Sequence, residues 1–497
     1  MLLQSAAWIG GAGCLMKWQL LMAFLGYLGF MIWFGWWVSR NSKGGDDFLL
    51  GGRNLPFFLT LGTTVATMVG TGSSMGAVGF AYLNGWAGMI YGLGGAAGIL
   101  LLAKLFAPVR EHQFMTMSEE VSYYVGAHPL VKNTIAIFIF VASIGWLGAH
   151  ILGGGMYLAW LTGLSPFSAK LIIALGFSIY VVIGGYVAVV WTDSIQALVL
   201  FVGFFLMAGV ALYEVGGLAD MANAQPALNQ SFLSLDKIGA VHGLSLFFAV
   251  LIGVLVAPSF RQRIYSGKHV KSIRQSFYLS GGLYLVFAIV PAIIGMAAYA
   301  LNPALENSAF SFPFMAFELL PFGLAALVII AGLSATISSA SSDAIAAVSV
   351  LIRDLYSLVF KRMPHAKDVV LLSRMGLVMT IGIALLLALL TNDVIGYITN
   401  MIATLMSGLC VCVLFGHFWP RFNWQGAITA LLVSLLVSLA IILTPNWLAY
   451  WSNPIIPATL GSALLAAMVT LFTPVQVCTS AQALAILKAQ REEMQHD

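Results

Sequence analysis

Apolar runs of about twenty residues recur from residue 16 to residue 474, and they leave this chain few folds to choose from. A helix needs roughly 20 apolar residues to cross about 30 Å of hydrocarbon. Reading between polar breaks predicts about thirteen such helices, at 16–38, 56–84, 86–107, 133–163, 166–190, 191–213, 238–260, 274–302, 320–352, 368–390, 393–416, 422–443 and 453–474. Only 8% of the 497 residues are charged, against about 25% in soluble domains. So few charges cannot cover a water-facing surface. The expected fold class is an all-α polytopic protein, multi-pass in a lipid bilayer.

Lysines and arginines orient the spans. With the N-terminus outside and the C-terminus inside, the inner loops hold all 22 except Lys17, Lys170 and Lys237. That bias follows the positive-inside rule. Arg261 and Arg263 fall in one of those inner loops. The first apolar run has no small-residue cleavage site and reads as a retained helix. Cys410 and Cys412 sit in an apolar stretch without histidines at metal spacing and read as packing residues. No Gly-Lys-Ser or Gly-Lys-Thr occurs, so a phosphate loop is excluded. Energy then comes from an ion gradient, or flux is passive. Neither enzyme chemistry nor a nucleic-acid partner is expected.

Polar residues inside apolar spans carry the chemistry. Ala335-Thr-Ile-Ser-Ser-Ala-Ser-Ser342 places four serines in five positions. At 100° per residue Ala335, Ser338, Ser339 and Ser342 share a stripe, with Ser341 beside it. Such hydroxyls serve either as helix-packing glue or as oxygen donors to a hard cation. The second span reads Gly-Thr-Gly-Ser-Ser-Met-Gly over 70–76. It is either a close-packed glycine interface or a helix broken at the midplane, where freed carbonyls bind cations. Pro258, with Gly253, interrupts the seventh span, five spans later. Paired interruptions point to a transporter site at the junction of two inverted repeats, here 56–213 and 238–416. Residues 16–38 and 422–474 would supply peripheral helices around this single transporter domain. Asp193 is either a helix cap or a deeper charge that needs a counter-cation. His150, with Trp146 one turn before it, is either a satisfied core histidine or a solute ligand. Asp343 belongs either to the polar pathway or to the inner rim.

Four landmarks in order then resemble the sodium/solute symporter family, which includes proline, pantothenate, sialic acid and sodium/glucose symporters. They are Asp-Asp-Phe-Leu-Leu-Gly-Gly-Arg (46–53), Gly-Gly…Trp-Thr-Asp-x-x-Gln (184–196), Ala-x-x-Ser-Ser-x-Ser-Ser (335–342) and Arg-Asp-Leu-Tyr (353–356). The resemblance implies the leucine-transporter (LeuT) fold of five plus five inverted helices. It implies Na+ as coupling ion, held by the carbonyls of Ala66, Val69 and Ala335 and the hydroxyls of Ser338 and Ser339. A second Na+ site would use Asp193, Ser338, Ser341 and Ser342. By the same analogy Thr67, Thr71, Ser74, Trp146, His150 and Tyr397 are solute-binding candidates. Met68 stands where proline symporters carry an acid, against a direct transfer of proline specificity. The expected function is sodium-coupled symport of a small polar organic solute by alternating access, in the cell membrane (the cytoplasmic or inner membrane if the cell is bacterial). Proton coupling through Asp193 or Asp343, or an uncoupled facilitator or channel, are the alternatives.

Overall fold

The computed structural model describes residues 11–42, 44–390 and 394–496. Lys43, assigned above to an inner loop, lies outside them. Among the described residues the chain is helical, with a single isolated bridge between Leu55 and Gly267. Among the described residues eleven helical segments are long and apolar enough to cross a membrane. Two of these eleven segments each hold two of the thirteen expected spans, because a glycine turn divides them. Gly72–His112 runs through the turn at Gly85 as one segment, and Pro166–Glu214 runs through Gly185.

The elements that build the site are α1 (Gly11–Ser39), α2 (Gly45–Leu50), α3 (Phe57–Met68), α4 (Ala77–Asn84), α5 (Met89–Leu101) and α6 (Met117–Tyr124). They continue with α7 (Pro129–Thr162), α8 (Pro166–Glu214), α9 (Ala240–Leu255), α10 (Pro258–Ser266), α11 (Val270–Phe287) and α12 (Phe322–Val350). α13 (Ser480–His496) closes the list at the C-terminal end. The centre is α12, which packs on α3, α7 and α8. From Ala331 to Val350 every side chain of α12 is buried. A run that is small, apolar and hydroxylated suits that place, because serines can return their hydrogen bonds to their own helix. Ser341 does so to the Ser338 carbonyl at 2.9 Å.

Three interruptions position the chemistry. α3 ends at Val69 (φ −88°, ψ 62°), and a π-helical turn over Gly72–Gly76 leads into α4. The freed carbonyls are taken up locally. Ser73 Oγ donates to the Met68 carbonyl (2.8 Å) and Ser74 Oγ to that of Gly70 (2.7 Å). α9 stops at Leu255 and α10 starts afresh on Pro258, which needs no amide hydrogen at a first turn. α8 breaks at Gly185 (φ 58°, ψ −149°), a conformation open essentially to glycine. A Cβ there would lie 2.6 Å from the Phe48 carbonyl of α2. The break therefore falls at Gly185 and not near residue 190. Asp193 sits about two turns inside the helix and is no cap.

The expectation that Arg261 and Arg263 lie in a basic loop is also corrected. Both are fully buried in α10, all of whose side chains are buried.

Candidate functional site

The serine run faces the break in α3. Ser338 Oγ lies 3.1 Å from the Ala66 carbonyl and 3.3 Å from that of Ala335. Ser339 Oγ lies 3.2 Å from the carbonyls of both Thr67 and Ala335. Two hydroxyls and three carbonyls thus meet where α3 unwinds, and Val69 is buried at the unwound end. Gly70 allows the approach, since a Cβ there would stand 2.7 Å from Ser339 Oγ. An all-oxygen, uncharged donor set of this kind suits a hard monovalent cation better than a transition metal. Among the described residues no group of three or more His, Cys, Asp or Glu is gathered for a metal. Cys410 and Cys412 are buried and unpaired, with Cys412 Sγ near the Ala427 carbonyl.

Asp193 is buried one helix away, and α12 and α3 reach it. Thr63 Oγ1 (2.6 Å) and Ser342 Oγ (3.0 Å) donate to its Oδ2, and Ser341 Oγ lies 3.5 Å from Oδ1. Gly62 permits this contact, because a Cβ there would fall 2.5 Å from Ser194 Oγ of α8. The structure thus brings the expected Asp193, Ser341 and Ser342 together. It adds two residues that sequence reasoning missed. One is Thr63. The other is Arg263 of α10, whose Nη2 lies 3.6 Å from Asp193 Oδ2. The same nitrogen donates to Thr67 Oγ1 (2.5 Å), Thr63 Oγ1 (2.8 Å) and Ser342 Oγ (2.8 Å). Asp193 therefore already has one counter-cation, supplied by the chain itself. Arg263 is remote in sequence, and its only local signal is the apolar company of Phe260 and Ile264.

Beside both clusters lies a cavity of about 50 Å³ between the α3 break, α5, α7, α9, α10, α11 and α12. Thr67, Trp146 and His150, three of the expected solute residues, line it. Thr71 reaches it only through His150, with Oγ1 2.9 Å from Nδ1. Ser74 bonds back to Gly70, and neither it nor Tyr397 lines the cavity. Tyr397 is only partly buried and stands over Gly148 on another face of α7. Tyr91 and Tyr284 line it without having been singled out for it, and so does Asp343, for which the sequence left the polar pathway and the inner rim open. His150 Nε2 lies 3.2 Å from Asp343 Oδ2, so the histidine is engaged on both nitrogens.

The sodium:solute symporter family matches residues 48–434. The chain belongs to that family. It is similar to the osmoregulated proline transporter OpuE of Bacillus subtilis, 24% identical over 89% of this chain and 92% of the relative. It is also similar to the sodium/glucose cotransporter of Vibrio parahaemolyticus, 25% identical over 91% and 89%. Among solved structures, a Na+-coupled sialic acid symporter in its substrate-bound outward-open state superposes with a TM-score of 0.79. It is 22% identical and covers 92% of this chain and 98% of that one. Mhp1, a nucleobase-cation-symport-1 transporter, closed with bromovinylhydantoin bound, gives 0.59 at 13% identity, over 90% and 99%. These likenesses establish a LeuT-like fold for this member of a transporter family.

Proposed function

We propose that the protein is a sodium-coupled symporter that imports a small polar organic solute by alternating access. The observation that carries this is the meeting of Ser338 and Ser339 with the carbonyls of Ala66, Thr67 and Ala335 at a helix break. Sodium there would tie α12 to α3 and complete the wall of the adjoining cavity. Family membership supports the same reading. Asp193 with Ser341 and Ser342 would hold a second sodium, in exchange with Arg263. Residues 56–213 and 238–416 would be the two inverted repeats, working in the cell membrane, which is the cytoplasmic membrane if the cell is bacterial.

The second ion matters to the energetics. One charge crossing 100 mV is worth about 2.3 kcal/mol. At 1.4 kcal/mol per factor of ten, one ion supports roughly 50-fold accumulation of a neutral solute. Two ions square that figure, to about 2,000-fold.

The test is uptake into proteoliposomes of a solute that stabilises the purified protein, with an inward gradient of sodium or of potassium. Accumulation only in sodium is expected. Accumulation driven by a pH gradient without sodium would mean proton coupling. Equilibration without any gradient would mean a facilitator.

A further inference from the structure

The buried charge least accounted for by sodium symport is Asp343. It lies on α12 directly after the serine run, almost fully buried and on the wall of the cavity. An ionised carboxylate has about four acceptor positions. His150 Nε2 stands 3.2 Å from one of the Asp343 oxygens, Oδ2. Among the described residues no group bonds Oδ1. A buried carboxylate normally gathers partners on both oxygens, because desolvating it is costly. An acceptor left open toward a cavity awaits a donor from whatever enters.

The rest of the wall narrows what that donor can be. The indole of Trp146 and the phenol rings of Tyr91 and Tyr284 face the same space. Ring faces attract cations, with Trp the strongest, at up to about 6 Å from the centroid. Among the described residues no lysine or arginine lines the cavity. Arg263, beneath it, is committed to Thr63, Thr67, Ser342 and Asp193. An anionic solute would find no free counter-charge. A neutral sugar would leave the buried Asp343 carboxylate without a counter-charge. The hydroxyls of Thr67 and Ser73 are already spent on Ser342 and the Met68 carbonyl.

We propose that the cavity binds a small solute bearing a positively charged nitrogen, with Asp343 as its counter-ion and Trp146, Tyr91 and Tyr284 around the charge. His150 is then a positioning residue. Its Nε2 holds Asp343 Oδ2, its Nδ1 is fixed by Thr71, and Oδ1 is left aimed at the solute. This rests on the transporter reading of the same site. It divides the solutes of the two relatives: a cationic nitrogen as in proline is accepted and a neutral sugar is not.

The test uses the full-length protein in detergent with sodium present, and reads the rise in melting temperature, which follows occupancy. The probes are choline, glycine betaine and proline. 3,3-Dimethyl-1-butanol is choline's uncharged carbon counterpart, and glucose and lactate serve as comparators. At least one nitrogen cation should stabilise the protein. If that one is choline, its carbon counterpart should need at least tenfold more for the same shift. Asp343→Asn should weaken the response to the cation at least tenfold. Trp146→Leu should do the same and carries the test if the first variant does not fold. No response to any of the three (the cation choline and the zwitterions glycine betaine and proline), a response only to glucose or lactate, or equal response to choline and its carbon counterpart overturns the proposal. So does a cation response unchanged in the folded variants. Sodium alone is titrated in parallel against potassium. If sodium stabilises the wild type and no cation does, the inference fails and sodium coupling stands. If sodium does nothing, the symporter reading itself fails.

Discussion

Replacing Arg263 by glutamine separates the two cations that Asp193 can hold. In wild type the guanidinium is 3.6 Å from the carboxylate and bonded to three of its neighbours. Removing one partner of a buried ion pair typically costs about 3–5 kcal/mol, because the other charge stays behind. If sodium binds Asp193 with Ser341 and Ser342, it can neutralise that charge in the variant. Arg263→Gln should therefore melt well below wild type in potassium and recover at least half the gap in sodium. An equal gap in both salts contradicts a second sodium site. At this scale the sequence was legible wherever a polar group interrupts an apolar span. Ser338, Ser339, Ser341, Ser342 and Asp193 stand out in that way, and the fold gathers them. Arg263 was not legible, because a basic residue after a proline reads as a loop charge. Asp343 and His150 likewise acquire a partner only once α7 and α12 pack.

Elements carry the breaks, and each break has its own test. Gly185 lets α8 turn over α2, bringing the second landmark of the sequence (184–196) against the first (46–53). Arg353 Nη2 ties in the fourth through Asp46, at 2.5 Å. Gly185→Ala adds a Cβ in a backbone conformation that costs about 1–3 kcal/mol for other residues, 2.6 Å from a carbonyl. A melting temperature several degrees lower is expected. Gly282→Ala, on α11 with nothing near its Cβ, should be neutral or gain about 0.5–1 kcal/mol. Equal effects would remove the special role of Gly185. Gly70→Ala should spare folding more than sodium affinity, since its Cβ meets Ser339 Oγ. The breaks at 69–72 and at Pro258 were visible because glycine and proline announce them. The one in α8 was misplaced because Asp193 resembled a cap, whereas the positive φ sits at Gly185.

Across the whole molecule, α10 fastens the arginine-rich end of the bundle. Glu120 accepts from Arg261 (2.8 Å), Tyr265 (2.5 Å) and Tyr124 (3.0 Å), and Arg261 lies over the Phe106 ring. Gln262 donates to the Leu49 carbonyl and to Ser349. Beside it the C-terminal helix α13 is held by Arg491 on Glu119. Burial pushes the Glu119 carboxyl up, but Arg491, helped by Lys132, brings it net below the ordinary carboxylate range. A depressed pKa gives stability that is present at neutral pH and lost as pH falls through the folded value. Hydrogen exchange should find residues 480–496 protected at pH 7 and opened below the usual glutamate pKa of about 4.3. Glu119→Gln should open them already at pH 7; unchanged protection in the variant would contradict the anchor. Apolar periodicity made the spanning helices legible at this scale. The anchor was not, because it joins residues 372 positions apart in the chain. The most direct test of the central claim is equilibrium binding of radioactive sodium to the purified protein. Saturable binding that potassium does not displace is predicted, weakened roughly tenfold or more in Ser338→Ala/Ser339→Ala as charge-assisted contacts are lost. No saturable binding in wild type, or the same affinity in the double variant, would contradict it.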